Sequence, residues 1–247
     1  MEDAFDGPFL GILGGMGPLA SATLMTRLTQ LTPAETDQAH IPAILWSDPR
    51  IPDRPAAYLR QGEDPFPWML NGIRRLEAAG AKIIVIPCNT AHLWYDALAA
   101  QARVPIIHIV DAVVQNLQAQ GVPHGRVGLM ATSATLQSGL YQSRLSAHGY
   151  ECLVPEPEEI GRHCSIPIAL TKQGHLEEAR RAASPGVASL CDRGAQAIVL
   201  GCTELPLALP HAMRGSWEVP IVDSIDALAH AAIHWHRRQT GKRKPDD

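Results

Sequence analysis

Lysine is nearly absent from this chain. Only Lys82, Lys172, Lys242 and Lys244 occur in 247 residues, and three of them open a strand or sit in the last six positions. Lys172 alone is placed to serve a site. Nothing else in the sequence supports a pyridoxal Schiff base on it, so a carboxylate-binding or merely exposed lysine is the reading. No apolar run reaches the ~18–20 residues of a membrane span. The start, Met1-Glu2-Asp3-Ala4-Phe5-Asp6, lacks the basic-then-apolar layout of a secretory signal. The five cysteines are odd in number and include no Cys-x-x-Cys pair. Free thiols in a reducing cytoplasm are therefore expected. Cys88 and His92 stand four apart, but no second ligand pair accompanies them, so no structural zinc is expected. The formal charge of −4 makes no electrostatic case for nucleic acid, and the Lys242-Arg243-Lys244 cluster reads as a solvated, frayed tail.

What the chain does have is an ordinary globular balance, 46% hydrophobic and 19% charged, with apolar strands alternating with helical stretches. Strands are expected at Phe9 to Leu13, Ile41 to Trp46, Ile83 to Ile86 and Ile106 to Ile109. In the second half they are expected at Val127 to Met130, Glu151 to Val154, Ala197 to Leu200 and Ile221 to Val222. Helices are expected after Pro18 to Leu31, and over Pro67 to Ala79, Leu93 to Ala102, Gly139 to His148, Leu176 to Asp192 and Asp226 to His236. This alternation implies an α/β fold with parallel sheets covered on both faces.

The two halves also repeat each other. Gly80-Ala81 leads through Ile83-Ile84-Val85-Ile86 to Cys88, and Gly194-Ala195 leads through Ile198-Val199-Leu200 to Cys202, each at an offset of 114 residues. Val104-Pro105-Ile106 recurs as Val219-Pro220-Ile221, and Leu10-Gly11-Ile12 as Val127-Gly128-Leu129. A period this long indicates two related lobes rather than a solenoid, whose units are typically ~20–50 residues. The expectation is two pseudo-symmetric Rossmann-like lobes, each with a mainly parallel sheet of about four strands. Residues 1–120 would form the first, with 226–247 able to pack back on it, and residues 121–225 the second. Ligands of such sheets bind at the carboxyl ends of strands, so the cleft between lobes is the expected site.

Cysteines at equivalent strand ends can face one small molecule from opposite sides. Inverting a carbon centre needs that geometry: a thiolate removes a proton and a thiol returns one from the far face. Each cysteine precedes a helix start, whose exposed amides favour the thiolate. Cys152, Cys164 and Cys191 read as small buried hydrophobes. Asn89, Thr90, Thr203 and Glu204 flank the two thiols and either cap the following helices or donate to a substrate carboxylate. Asp48-Pro49-Arg50-Ile51-Pro52-Asp53-Arg54 is a stiff loop with two guanidinium groups. These either grip a carboxylate in a two-point contact or pair with Asp48 and Asp53. Gly15-Met16-Gly17-Pro18-Leu19-Ala20 matches the dinucleotide pattern, but Pro18 removes an N–H that a pyrophosphate would use.

Four segments together, Gly11-Ile12-Leu13-Gly14-Gly15-Met16-Gly17-Pro18-Leu19-Ala20, Ile51-Pro52-Asp53-Arg54, Pro87-Cys88-Asn89-Thr90-Ala91-His92 and Gly201-Cys202-Thr203-Glu204, span nearly the whole chain. The chain resembles the aspartate/glutamate racemase family, most closely its aspartate racemase branch. The resemblance implies a racemase without pyridoxal or metal, usually a homodimer, interconverting L- and D-aspartate in a cleft between two α/β lobes. It implies Cys88 and Cys202 as the acid/base pair and Arg54 and Lys172 as holders of the side-chain carboxylate. Met16, Asn89, Thr90 and Thr203 are the further expected substrate contacts. Glutamate racemases show an Asp-Ser pair in the first loop and a His after the second Cys-Thr, where this chain has Gly14-Gly15 and Glu204. Pro55 departs from a threonine common in the branch. Alternatives on the same scaffold are a maleate cis–trans isomerase or a hydantoin racemase. The non-enzyme alternative is a small-ligand-binding module.

Overall fold

The computed structural model describes residues 7–241. The acidic start Met1–Asp6 and the basic tail Lys242–Lys244, read above as unlike a signal and as frayed, lie outside the described residues.

The first half runs β1 (Phe9–Gly14), α1 (Pro18–Leu31), β2 (Ala43–Ser47), α2 (Arg54–Tyr58), α3 (Phe66–Ala78), β3 (Ala81–Val85), a 3-10 turn over Thr90–Trp94, α4 (Tyr95–Gln101), β4 (Ile106–Ile107) and α5 (Ile109–Ala119). The second half runs β5 (Gly125–Ala131), α6 (Ser133–Gln137), α7 (Leu140–Ala147), β6 (Tyr150–Leu153), α8 (Pro157–Glu159), a π-turn over Ile160–Ser165, α9 (Ile166–Lys172) and α10 (Leu176–Asp192). It closes with β7 (Ala197–Gly201), α11 (Leu205–Ala208), α12 (His211–Arg214), β8 (Ile221–Asp223) and α13 (Ser224–Thr240).

Two parallel four-stranded sheets result, ordered β2-β1-β3-β4 and β6-β5-β7-β8. The sequence repeat is a repeat of topology. Ile84 pairs with Ile106 and Ile198 with Ile221, matched positions in the two sheets. The helices before β3 and β7 end alike, with Gly80 at φ +95° and Gly194 at φ +86°. Only glycine adopts that left-handed stop without strain.

Strand alternation sorts the core into three parts. One face of the central strands (Leu10, Ile12, Ile83, Val85 in the first sheet; Val127, Leu129, Val199 in the second) meets in one core shared by both halves, with Val113, Leu117, Tyr141 and Leu228. The opposite faces pack separately. Leu13, Ile84 and Ile86 lie against Met69, Ile73 and Leu76 of α3, and Met130, Ile198 and Leu200 against Val187 and Leu190 of α10. α13 packs on α1 and α5. Arg27 of α1 grips Asp226 of α13 through two bonds of 2.6 and 2.8 Å.

Helices α2, α5, α6 and α12 are not expected from sequence, α11 is expected only as a helix start after Cys202, and other elements differ from the sequence reading. The strand expected to reach Ile109 stops at Ile107, because His108 accepts the Val110 amide and starts α5. The helix expected from Leu93 is a 3-10 turn followed by a short α4. The stretch 157–172, unassigned from sequence, is helical, with a π-turn between α8 and α9.

Candidate active site

In each sheet the chain leaves β1 or β5 in one direction and returns to pair β3 or β7 on its other side. Ligands bind at such a switch, outside the carboxyl ends of the two central strands. The loops there are Gly14–Gly17, Pro87–Thr90, Thr132–Thr135 and Gly201–Glu204, which carry most of the candidate residues.

Gly15 shapes the first loop. Its φ is +95°, and a Cβ there would stand 2.3 Å from the Asp48 backbone. The β1 loop therefore lies directly on the loop after β2. Ser21 fastens it, accepting the Gly15 amide at 3.0 Å and donating to the Gly17 carbonyl at 2.7 Å. Across that contact, Arg50 forms a two-point pair with Asp48, with both bonds 2.8 Å, and is itself exposed. Among the described residues Arg54 pairs with no acid. Its Nη1 donates to the Ile51 and Pro52 carbonyls, its Nε is buried without a partner, and Asp53 caps α2 instead. Of the two arginines, Arg50 makes the surface pair and Arg54 is the buried cation.

The two cysteine loops touch. Thr203 Oγ1 lies 3.3 Å from the Pro87 carbonyl, joining the residue after one cysteine to the residue before the other. Asn89 donates to Ser224 at 2.9 Å and accepts the Tyr141 hydroxyl at 2.6 Å. Thr90 bonds Thr132 and Thr135, each at 3.0 Å. Asn89 and Thr90 thus cap no helix; they lock the Cys88 loop onto the second half. His92 completes the lock. Its Nδ1 meets the Cys88 carbonyl at 2.9 Å and its Nε2 accepts the Ile109 amide at 3.2 Å. That pattern defines the neutral ring with its proton on Nδ1. Burial pushes His92 down to about 4. Both nitrogens being engaged, His92 has none left to share a metal with Cys88.

Cys88 is 6% exposed and Cys202 5%. Cys202 donates its S–H to Glu204 Oε2 at 3.0 Å. Burial first, then the Glu204 carboxylate, push the Cys202 thiol well above its ordinary value, while the Glu204 amide and Lys172 pull less strongly the other way. The thiolate-favouring helix start expected from sequence does not prevail there, because α11 is a single turn and the carboxylate is adjacent. The other cysteines are also free. Burial drives Cys152 up to about 12 and Cys164 up to about 11, and raises Cys191. Such thiols stay protonated and inert.

A cavity of about 370 Å³ opens beside these loops, lined among others by Gly15, Gly17, Arg54, Thr171, Lys172 and Glu204. Arg54 and Lys172, 118 residues apart, meet there. Cys88, Cys202, Met16, Asn89, Thr90 and Thr203 are not lining residues. Cys202 is tied to the wall by its bond to Glu204. Met16 packs in the same apolar cluster as Cys88 and Ile51. Thr171, whose hydroxyl is buried without a partner, was missed from sequence. Its only signal is adjacency to Lys172.

The fold has close parallels among solved structures. A Picrophilus torridus aspartate racemase is 32% identical, with a TM-score of 0.82, and each chain is covered over 96% of its length. An aspartate racemase homologue from Pyrococcus horikoshii is 25% identical, with a TM-score of 0.73, over 93% of this chain and 99% of the other. The broad-specificity amino-acid racemase of Bacillus subtilis is 26% identical over 232 residues, 91% of this chain and 96% of that one. The Asp/Glu/hydantoin racemase family model matches residues 13–232. On its two repeated sheets, its paired cysteine loops and this match over most of its length, the chain belongs to the Asp/Glu/hydantoin racemase family.

Proposed function

We propose that this protein racemises aspartate without a cofactor, using Cys88 and Cys202 as a two-base pair. The observation that carries the reading is the placement of the two cysteines. They end the central strands of duplicate sheets, their loops are joined through Thr203 and Pro87, and the adjoining cavity holds Arg54 and Lys172. Two cations suit a substrate with a second carboxylate, and aspartate is the amino acid named for the Picrophilus torridus relative.

In one direction the Cys88 thiolate removes the Cα proton of one enantiomer. Charge then spreads onto the α-carboxylate, and the Cys202 S–H delivers a proton to the opposite face. The products are the mirror-image amino acid, a Cys88 thiol and a Cys202 thiolate, and the reverse direction exchanges the roles. The raised Cys202 thiol fits it to be the acid at rest. Arg54 and Lys172 hold the distal carboxylate, and the ordered backbone of the cysteine loops supports the α-carboxylate as charge builds on it.

The test is replacement of each thiol. Cys88→Ser and Cys202→Ser are each expected to lower two-way racemisation of aspartate by about 10³-fold or more, as loss of an acid/base group does. Full activity in both would refute the assignment.

A further inference from the structure

Two buried charges at the cavity have no partner of opposite charge among the described residues. Glu204 is 5% exposed, yet among the described residues no lysine, arginine or histidine pairs with it. Among the described residues Arg54, 8% exposed, bonds only backbone carbonyls, and Lys172 makes no ion pair. All three line the same cavity. Lys172 is exposed, but Glu204 and Arg54 are buried, and burying unpaired charge is costly, so a pocket lined by this anion and these two cations is complementary to a ligand of the opposite pattern.

Glu204 has one oxygen committed and one free. Oε2 accepts the Cys202 thiol at 3.0 Å and the Thr203 hydroxyl at 3.4 Å. Oε1 lies over the backbone at Gly17, where a Cβ would approach it to 3.2 Å, and Gly17 is itself a cavity residue. A cation held at Oε1 would share the carboxylate whose other oxygen holds Cys202. Arg54 and Lys172 cannot both face carboxylates while Glu204 also does, without repulsion. A dicarboxylate carrying one ammonium group satisfies all three.

We propose that Glu204 binds the α-ammonium group of the substrate and so confines the site to amino acids, excluding dicarboxylic acids that lack an amino group. This deepens the racemase reading and rests on it for the identity of the substrate. It also separates this chain from the maleate isomerase alternative, because maleate presents two carboxylates and no cation to Glu204. The same contact brings the substrate α-carbon toward the sulfur that Glu204 holds.

Calorimetric titration of the full chain with L-aspartate and with succinate, which keeps both carboxylates and lacks the ammonium, tests this. The wild type is expected to bind aspartate about 30-fold or more tighter than succinate, the usual scale for a buried charge contact. Glu204→Gln keeps the hydrogen-bonding shape and removes the charge. It is expected to weaken aspartate by about 30-fold while leaving succinate unchanged or tighter. Equal wild-type affinity for the two ligands overturns the proposal, and that result needs no folded variant. So does a Glu204→Gln enzyme with reduced kcat and both affinities intact, which would confine Glu204 to acting on Cys202. The preference for aspartate over succinate is read without turnover. A wild type that shows it but exchanges no Cα hydrogen sinks the racemase reading alone.

Discussion

At the scale of residues, the division of labour among like side chains is set by their surroundings. Arg50 and Arg54 lie four apart in one loop, yet Arg50 spends its guanidinium on Asp48 at the surface while Arg54 is buried in the cavity wall. Arg54→Ala is expected to raise KM for aspartate by about 10- to 100-fold, the cost of removing one charge-assisted contact. Arg50→Ala is expected to leave KM within about threefold, since a surface pair contributes little. Steady-state kinetics on both variants decides it; equal effects would mean that the loop acts only as a structural unit. The sequence already separated Cys88 and Cys202 from the other three cysteines, because position in a repeat can be read without coordinates. Residue type and spacing left Arg50 and Arg54 alike, only the family resemblance chose Arg54, and nothing but adjacency to Lys172 pointed to Thr171. Those depend on which side chain a proline-held loop or a helix end turns inward.

At the scale of elements, the strand-end loops work because strands and turns are locked by a few close contacts. Gly15 is the tightest. Its φ of +95° and the 2.3 Å approach of a would-be Cβ to the Asp48 backbone leave no room for a side chain. Gly15→Ala is expected to lower stability by about 2 kcal/mol or more, from left-handed strain and the clash together. Urea denaturation would measure it, and an unchanged midpoint would show that the β1 loop moves freely from the β2 loop. Long, strongly periodic elements such as α3 and α10 were legible from sequence, as were the buried central strands. What escaped was the handover from strand to helix after β4. There, Ile106 to Val110 is a continuous apolar run apart from His108, and periodicity alone does not tell a buried strand from a buried helix start. The 157–172 segment was illegible because Pro157, Gly161 and Pro167 punctuate it, yet two prolines sit in helical first turns, where they are tolerated.

At the scale of the molecule, duplication builds the site, and two histidines buried in the first half make the protein sensitive to acid. His92 and His108 are buried and neutral where the Cys88 loop meets α5, at about 4 and about 2 respectively, chiefly because burial penalises the charged ring. Their ordinary value is near 6.5, so the unfolded chain takes up these protons first as pH falls. Stability is full above about pH 6.5 and is lost progressively as pH falls toward 4, on the order of 3 kcal/mol from His92 alone. His92→Asn, which keeps a donor near the Cys88 carbonyl, is expected to reduce the slope of unfolding free energy against pH in that window by one proton's share, about 1.4 kcal/mol per pH unit. Chemical denaturation at several pH values would show it, and a slope unchanged by the variant would exclude His92 as its source.

The central claim is that two sulfurs, one from each half, work on opposite faces of one α-carbon. It is tested most directly by following deuterium at Cα during the first few per cent of racemisation of L-aspartate in heavy water, without added cofactor. The expected result is D-aspartate carrying one solvent deuterium while the remaining L-aspartate stays unlabelled. Equal early labelling of both enantiomers, as a single shared base would produce, would contradict it, and so would racemisation with no label at all.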